Sequence, residues 1–157
     1  PDNDERAIFF AKGVIETVKK LNWSPDIIHV HGWLASFLPL YLRTYYSNEP
    51  LFENSKIVTS VYNQGFDGTL NEKVRDKMIF DGIAEESIAD LKSPDYVNVM
   101  KIALNNSDAV IINSEEIPQA LKEHLETIDK PMLPYQTNET IKEAYLDFYQ
   151  NTVLGQS

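Results

Sequence analysis

The sequence predicts an α/β domain built on a parallel sheet flanked by helices. Three short runs carry that prediction. Ile27-Ile28-His29-Val30, Lys56–Val61 (KIVTSV) and Ala109–Ile112 (AVII) are apolar, rich in β-branched residues and too short for helices, so they read as buried strands. Segments with helical periodicity separate them, which is the alternation of βαβ units, and a right-handed parallel crossover is the expected connection. A further observation is the glycine that follows each of the first two runs, at Gly32 and Gly65. Both lie beyond the carboxyl ends of their strands, the edge at which open α/β sheets bind ligands.

Residues 2–21 read as a helix capped by Asp2, Asn3 or Asp4, with an acidic first turn that suits the helix dipole. Ala7, Phe10, Ala11, Val14, Val18 and Leu21 follow the helical period, and Ile8, Phe9 and Ile15 widen the stripe, so this helix is expected to be covered on more than one side. Pro25-Asp26 bounds the first strand, on which His29 and His31 share a face. A helix is expected over 33–46, kinked at Pro39. The second strand leads into Tyr62-Asn63-Gln64-Gly65-Phe66-Asp67-Gly68, a loop rich in hydrogen-bonding groups. Residues 72–80 and 85–91 read as short polar helices separated by Asp81-Gly82. Pro94-Asp95 starts a helix that runs to about Asn106, and 117–127 is a further helix with Pro118 early, where proline is tolerated. Residues 129–135 read as a proline-pinned loop. The last helix spans 138–153 with Ile141, Ala144, Tyr145, Phe148 and Tyr149 on one face, and 154–157 reads as a frayed tail.

At 157 residues, with 43% hydrophobic content, eight Tyr, seven Phe and two Trp, the sequence supports a single domain over 1–157 with a real core. A net charge of −10 with no cluster of Lys and Arg argues against nucleic acid and against an anionic membrane surface. No run approaches the roughly 20 apolar residues of a membrane span, and the sequence does not open on a basic stretch followed by an apolar one. The absence of cysteine removes disulfides and thiolate metal sites and fits a cytoplasmic protein. The chain opens at Pro1 directly before a helix that needs a sheet to pack on, and three strands make a thin sheet. It therefore reads as part of a longer protein with earlier strands missing, and the sheet edge so left would favour a homo-oligomer.

Three segments, in order, resemble one family. PDIIHVHGW followed by Leu38-Pro39-Leu40-Tyr41-Leu42 is similar to the P-D-I/V-I/V-H-x-H-D-W-H and P-x-Y-L elements of bacterial glycogen synthases and plant starch synthases. Asp2-Asn3-Asp4-Glu5-Arg6 resembles the family's D-N-x-E-R helix. The segment from Asn98 and Lys101 through Ser107-Asp108-Ala109-Val110 to Ser114 resembles its N-x-x-K-x-x-I-x-x-A-D-x-V-x-T-V-S helix and strand. These enzymes are glucosyltransferases of the two-domain GT-B architecture, and the match covers roughly residues 2–125. The resemblance implies a Rossmann-like unit, part of the N-terminal, acceptor-side domain. It also implies α-glucan and a sugar nucleotide as partners, with glucose transferred from ADP-glucose to an α-1,4-glucan, and no cofactor or metal.

By resemblance His31 aligns with the family's active-site histidine, implied to contact the donor glucose. An imidazole at a strand end beside a glycine also suits a sugar hydroxyl, since either ring nitrogen can donate or accept. The bland alternative is a histidine satisfied by backbone. The candidate substrate-binding residues are Gly32, Trp33, Tyr62, Asn63 and Gln64, while His29, deeper on the same face, reads as structural. A metal site on the two histidines is not expected, with no acidic residue in the motif. Asp2, Asp4 and Glu5 read as an acidic first turn and Glu115-Glu116 as a helix N-terminal pair. Three positions depart from the family pattern: Gly32 stands where it has aspartate, Leu34 where it has a second histidine, and Val61 where a T-x-H-N sequence has histidine. The family's lysine-glycine-glycine loop and its second domain have no counterpart in the sequence. The chain alone is therefore not expected to be active, and a non-catalytic relative that binds glucan or a protein, or a domain without a sugar site, remain as alternatives.

Overall fold

The computed structural model describes residues 2–155 and arranges four parallel strands in one sheet, in the order β1 (Ile27–His31), β2 (Lys56–Val61), β3 (Ala109–Ile112) and β4 (Met132–Leu133). Pro1 and the Gln156-Ser157 end of the tail lie outside the described residues. The parallel α/β architecture is the one the sequence predicts. β4 corrects the loop expected over 129–135. Pro131 and Pro134 bracket it, yet the Pro131 carbonyl accepts from the Val110 N–H (3.0 Å), and prolines are tolerated beside an edge strand.

The register sorts side chains onto two faces. His29 pairs with Val58, His31 with Ser60 and Ser60 with Ile111, so these share one face; Ile28, Val30, Ile57, Val61 and Val110 share the other. That second face carries most of the core. Ala7, Ala11 and Ile15 of α1 (Asn3–Lys20), Leu40 and Tyr41 of α2 (Leu38–Arg43), and Met78 of α3 (Val74–Phe80) pack with Val30 and Ile57. Met100 and Leu104 of α4 (Tyr96–Asn105) and Leu121 and Leu125 of α5 (Gln119–Thr127) close over Val61 and Val110. α4 starts where it does because the Asp95 carboxylate accepts from the Asn98 N–H (2.9 Å) and the Asn98 side chain donates to the Ser93 carbonyl (2.9 Å). It then buries Val99, Met100, Ile102 and Leu104, each contributing roughly 1.5–3 kcal/mol of transfer free energy.

Several expectations are corrected in this layer. The helix expected over 33–46 is broken: Trp33–Ala35 is a single 3₁₀ turn and α2 begins at Leu38. Pro39 thus falls in a first turn, where no hydrogen bond is lost, and no kink is required. α1 is covered along one stripe only, with Ala7, Ile8, Ala11 and Ile15 buried but Phe9 79% and Phe10 40% exposed. β1 lies at the edge of the four strands, so Ile27, Ile28 and His29 are half-buried where the apolar run suggested full burial. Glu85–Lys92 is 3₁₀ in character, with Ile88 and Leu91 buried. Glu115 and Glu116 precede the helix they were expected to open, because α5 starts at Gln119 after Pro118. Among the described residues no helix is long and apolar enough to cross a membrane.

The face bearing His29, His31 and Ser60 is covered by α6 (Ile141–Asp147) and its π-helical continuation, Phe148–Val153. In a π-helix each N–H bonds five residues back, as the Leu154 N–H does to the Tyr149 carbonyl (3.0 Å). The wider turn puts Phe148 and Val153, five residues apart, on one side. Both are buried against Val58, Ala109 and Ile111.

Candidate active site

β1 hands over to the next element at Gly32, whose φ of 74° and ψ of 161° lie in a region open essentially to glycine alone. The turn sets Trp33 edge-on against Phe66, with 4.9 Å between ring centroids. The loop after β2 is pinned at three points. The Tyr96 hydroxyl donates to the Tyr62 carbonyl (2.8 Å), the Asn63 N–H donates to Ser114 Oγ (2.8 Å), and Gly65 sits so close to the Tyr96 ring that a Cβ would come within 2.5 Å of it. His31, Gly32, Trp33, Tyr62, Gln64 and Gly65 consequently line one open cleft of about 380 Å³ at the carboxyl edge of the sheet. Of the residues singled out in the sequence, Asn63 does not line it; its backbone serves the loop, and its exposed side chain lies outside the cleft.

Beneath the cleft runs a chain of neutral hydrogen bonds. The His31 Nδ1 meets the Tyr62 hydroxyl (2.8 Å), which accepts from Asn113 Nδ2 (2.9 Å). The same Nδ2 donates to Ser60 Oγ (2.9 Å), which lies 2.6 Å from His29 Nε2. The helix over this face closes both ends, with Tyr145 donating to Asn113 Oδ1 and the Tyr149 hydroxyl bonded to His29 Nδ1. The two imidazoles lie 3.9 Å apart between centroids. Burial and then the neighbouring His31 ring push the His29 pKa down to about 4, and burial lowers that of His31. Burial, reinforced by Tyr145 and Tyr62, pushes Tyr149 up to about 12. His29, His31 and Tyr149 are therefore uncharged near neutral pH, so they orient hydrogen bonds without carrying a charge.

Sequence reasoning missed Ser60, Asn113, Tyr145 and Tyr149. Ser60 carried a signal, since the two-residue period of β2 places it on the face of His29 once the strands pair in register. The i, i+4 spacing of Tyr145 and Tyr149 on an otherwise exposed helix was another. Of the departures from the family pattern, Val61 is fully buried in the α4–α5 layer, and Leu34, 38% exposed, lies with Phe9 and Phe10 away from the cleft. The carboxylates of Asp4 and Glu5 take the Lys77 ammonium at 2.6 and 2.8 Å. Among the described residues no three His, Asp or Glu side chains converge as metal ligands.

The conformation at Gly32 yields a direct prediction. Restoring an aspartate there, Gly32→Asp, is expected to destabilise the fold by about 1–3 kcal/mol, because the φ and ψ are strained for any side chain although nothing lies within 4 Å of the new Cβ. Urea denaturation would measure it, and an unchanged midpoint would show that the turn relaxes freely.

A family model, the starch synthase catalytic domain, matches residues 1–130. The chain belongs to the starch synthase catalytic domain family. Curated relatives agree. The glycogen synthase of Chlorobium luteolum is 38% identical over 113 residues, covering 72% of this chain and 22% of that protein. That of Clostridium perfringens is 33% identical over 123 residues, with 77% and 25% covered, and that of Pelodictyon phaeoclathratiforme 30% over 145, with 92% and 28%. The chain thus spans about a quarter of the length of the curated relatives it matches. No solved structure matches it. The starch synthase catalytic domain match takes in β1, the loop after β2 and Asn113, hence every residue lining the cleft. It stops before β4 and before the helix that supplies Tyr145 and Tyr149.

Proposed function

We propose that this chain forms the acceptor-side part of a glucosyltransferase that, in the whole protein, moves glucose from ADP-glucose to the non-reducing end of an α-1,4-glucan with retention. The observation that carries this reading is the convergence of His31, Trp33, Tyr62 and Gln64 on one cleft at the carboxyl edge. There the His31 Nδ1 is engaged by Tyr62, and the other ring nitrogen, Nε2, is left for a sugar hydroxyl. The aromatic rings of Trp33 and Tyr62 and the Gln64 amide supply the stacking and hydrogen-bonding groups a glucan needs. A neutral imidazole can orient a substrate but cannot by itself stabilise a departing diphosphate. That electrostatic work falls to groups of a donor domain closing over the cleft. The chain is accordingly read as binding sugar without turning it over.

One observation favours a second reading, a non-catalytic glucan-binding relative: the Gly32 backbone conformation, which would be strained for the aspartate that the family pattern has there. Both readings share a test. Maltooligosaccharide titrated into the chain, followed by calorimetry or amide NMR, is expected to bind, and His31→Ala to weaken binding on the order of tenfold, the equivalent of one hydrogen bond of about 1.4 kcal/mol. Equal affinity in the two proteins would remove His31 from the site. Glucosyl transfer from ADP-glucose by the whole protein then separates enzyme from binder.

A further inference from the structure

Asn113 sits at the branch point of the network, and the orientation of its amide decides where the proton of His31 resides. With Nδ2 towards Ser60 and Tyr62, both amide hydrogens have acceptors, and Oδ1 accepts from Tyr145. The Tyr62 oxygen, already accepting from Asn113, has its single hydrogen left for the one other partner it meets, His31 Nδ1. A bare Nδ1 places the ring N–H on Nε2. The flipped amide reverses every step. Oδ1 would then accept from Ser60 and Tyr62, one amide hydrogen would lack an acceptor in this set, and Tyr62 would have to accept from a protonated Nδ1. The Tyr145 hydroxyl on the third side of the amide widens the gap between the two arrangements: its oxygen could accept from a flipped Nδ2, but its own hydrogen would then lose the Oδ1 acceptor it has now.

We propose that Tyr145 is a positioning residue for His31: by fixing the Asn113 amide, it makes Tyr62 donate to His31 Nδ1 and leaves an N–H on Nε2 to donate to the ligand. The residue lies beyond the part of the chain that the family model matches, so the helix at 141–153 acts on the cleft from beneath, through Asn113, as well as covering the sheet. The consequence for ligand rests on the reading of the cleft as a sugar site; the tautomer does not. A donor at Nε2 selects ligands that present an acceptor oxygen there, such as a sugar hydroxyl or ring oxygen.

The test is long-range proton–nitrogen NMR on the chain with labelled histidine, at slightly alkaline pH, its three histidines assigned by single substitutions. Wild type is expected to show one His31 tautomer, protonated on Nε2. Tyr145→Phe keeps the ring and the fold but loses the donor, and should give a mixture of His31 tautomers, with maltooligosaccharide affinity falling about threefold to tenfold. Tyr149→Phe, which loses only its bond to His29, should leave His31 as it is. A proton on Nδ1 in wild type, an unmoved tautomer in Tyr145→Phe, or equal shifts in both variants would overturn the proposal, the last by pointing to undocking of the helix. A wild type with the expected tautomer that ignores maltooligosaccharide would uphold the positioning and overturn the sugar-site reading instead.

Discussion

As the pH falls from 6.5 to 4, the wild-type protein is expected to lose about 3 kcal/mol of stability relative to a His29→Gln variant. His29 is held neutral in the folded state, its pKa pushed down to about 4 by burial and by His31, against an ordinary value of 6.5. Between those values the unfolded chain takes up a proton that the folded chain refuses. Stability therefore rises with pH across this window and is lost as the pH drops through it, at 1.36 kcal/mol per unit. Carboxylates titrate in the same range, but they do so in both proteins, so the difference between the two curves isolates the imidazole. Glutamine gives up hydrogen bonds to Ser60 and Tyr149 and lowers stability near neutrality, after which the gap should close on acidification. Parallel curves in denaturant titrations at several pH values would mean that His29 is solvated in the folded state.

Phe148→Ala is expected to cost about 3–5 kcal/mol, the largest effect of any single side chain on the covering helix. Phe148 is 5% exposed and fills the space between Val58, Ala109 and Ile111, and an alanine leaves a cavity that a π-helical turn cannot easily close. The response should also be local. Hydrogen exchange should accelerate over 141–153 ahead of the sheet, and the His29 pKa should climb back towards 6.5 as Tyr149 leaves its ring. A loss below about 1 kcal/mol with unchanged exchange would show that the helix adds little to the fold.

The elements that could be read from the sequence are those whose information is local. β2 and β3 fall where KIVTSV and AVII predict, because a short β-branched run between helices has few other uses. His31, Gly32, Trp33, Tyr62 and Gln64 could be grouped in advance because strand ends and glycine turns lie on one edge of a parallel sheet. What could not be read depends on distant partners. Met132-Leu133 is a strand only because the Pro131 carbonyl finds Val110, and the chain breaks before Leu38 because Phe37 is taken into the core. Asn113 and Tyr145 look ordinary in sequence, since their role arises only once a helix 32 residues downstream folds over the amide.

The 120 residues between His29 and Tyr149 have a consequence for the order in which the molecule can be assembled. The layer on the other face can build up from neighbouring segments as they emerge from the ribosome, whereas His29, His31 and Ser60 must wait for the covering helix. At about 5–20 residues per second that delay is roughly 6–24 s. A nascent chain that bared an apolar surface for so long would invite misassociation. Here the part of the sheet left waiting is mixed: water satisfies the Ser60 hydroxyl and the two imidazoles until Tyr145 and Tyr149 replace it, while Val58, Ala109 and Ile111 form a small apolar strip that stays bare until Phe148 and Val153 arrive.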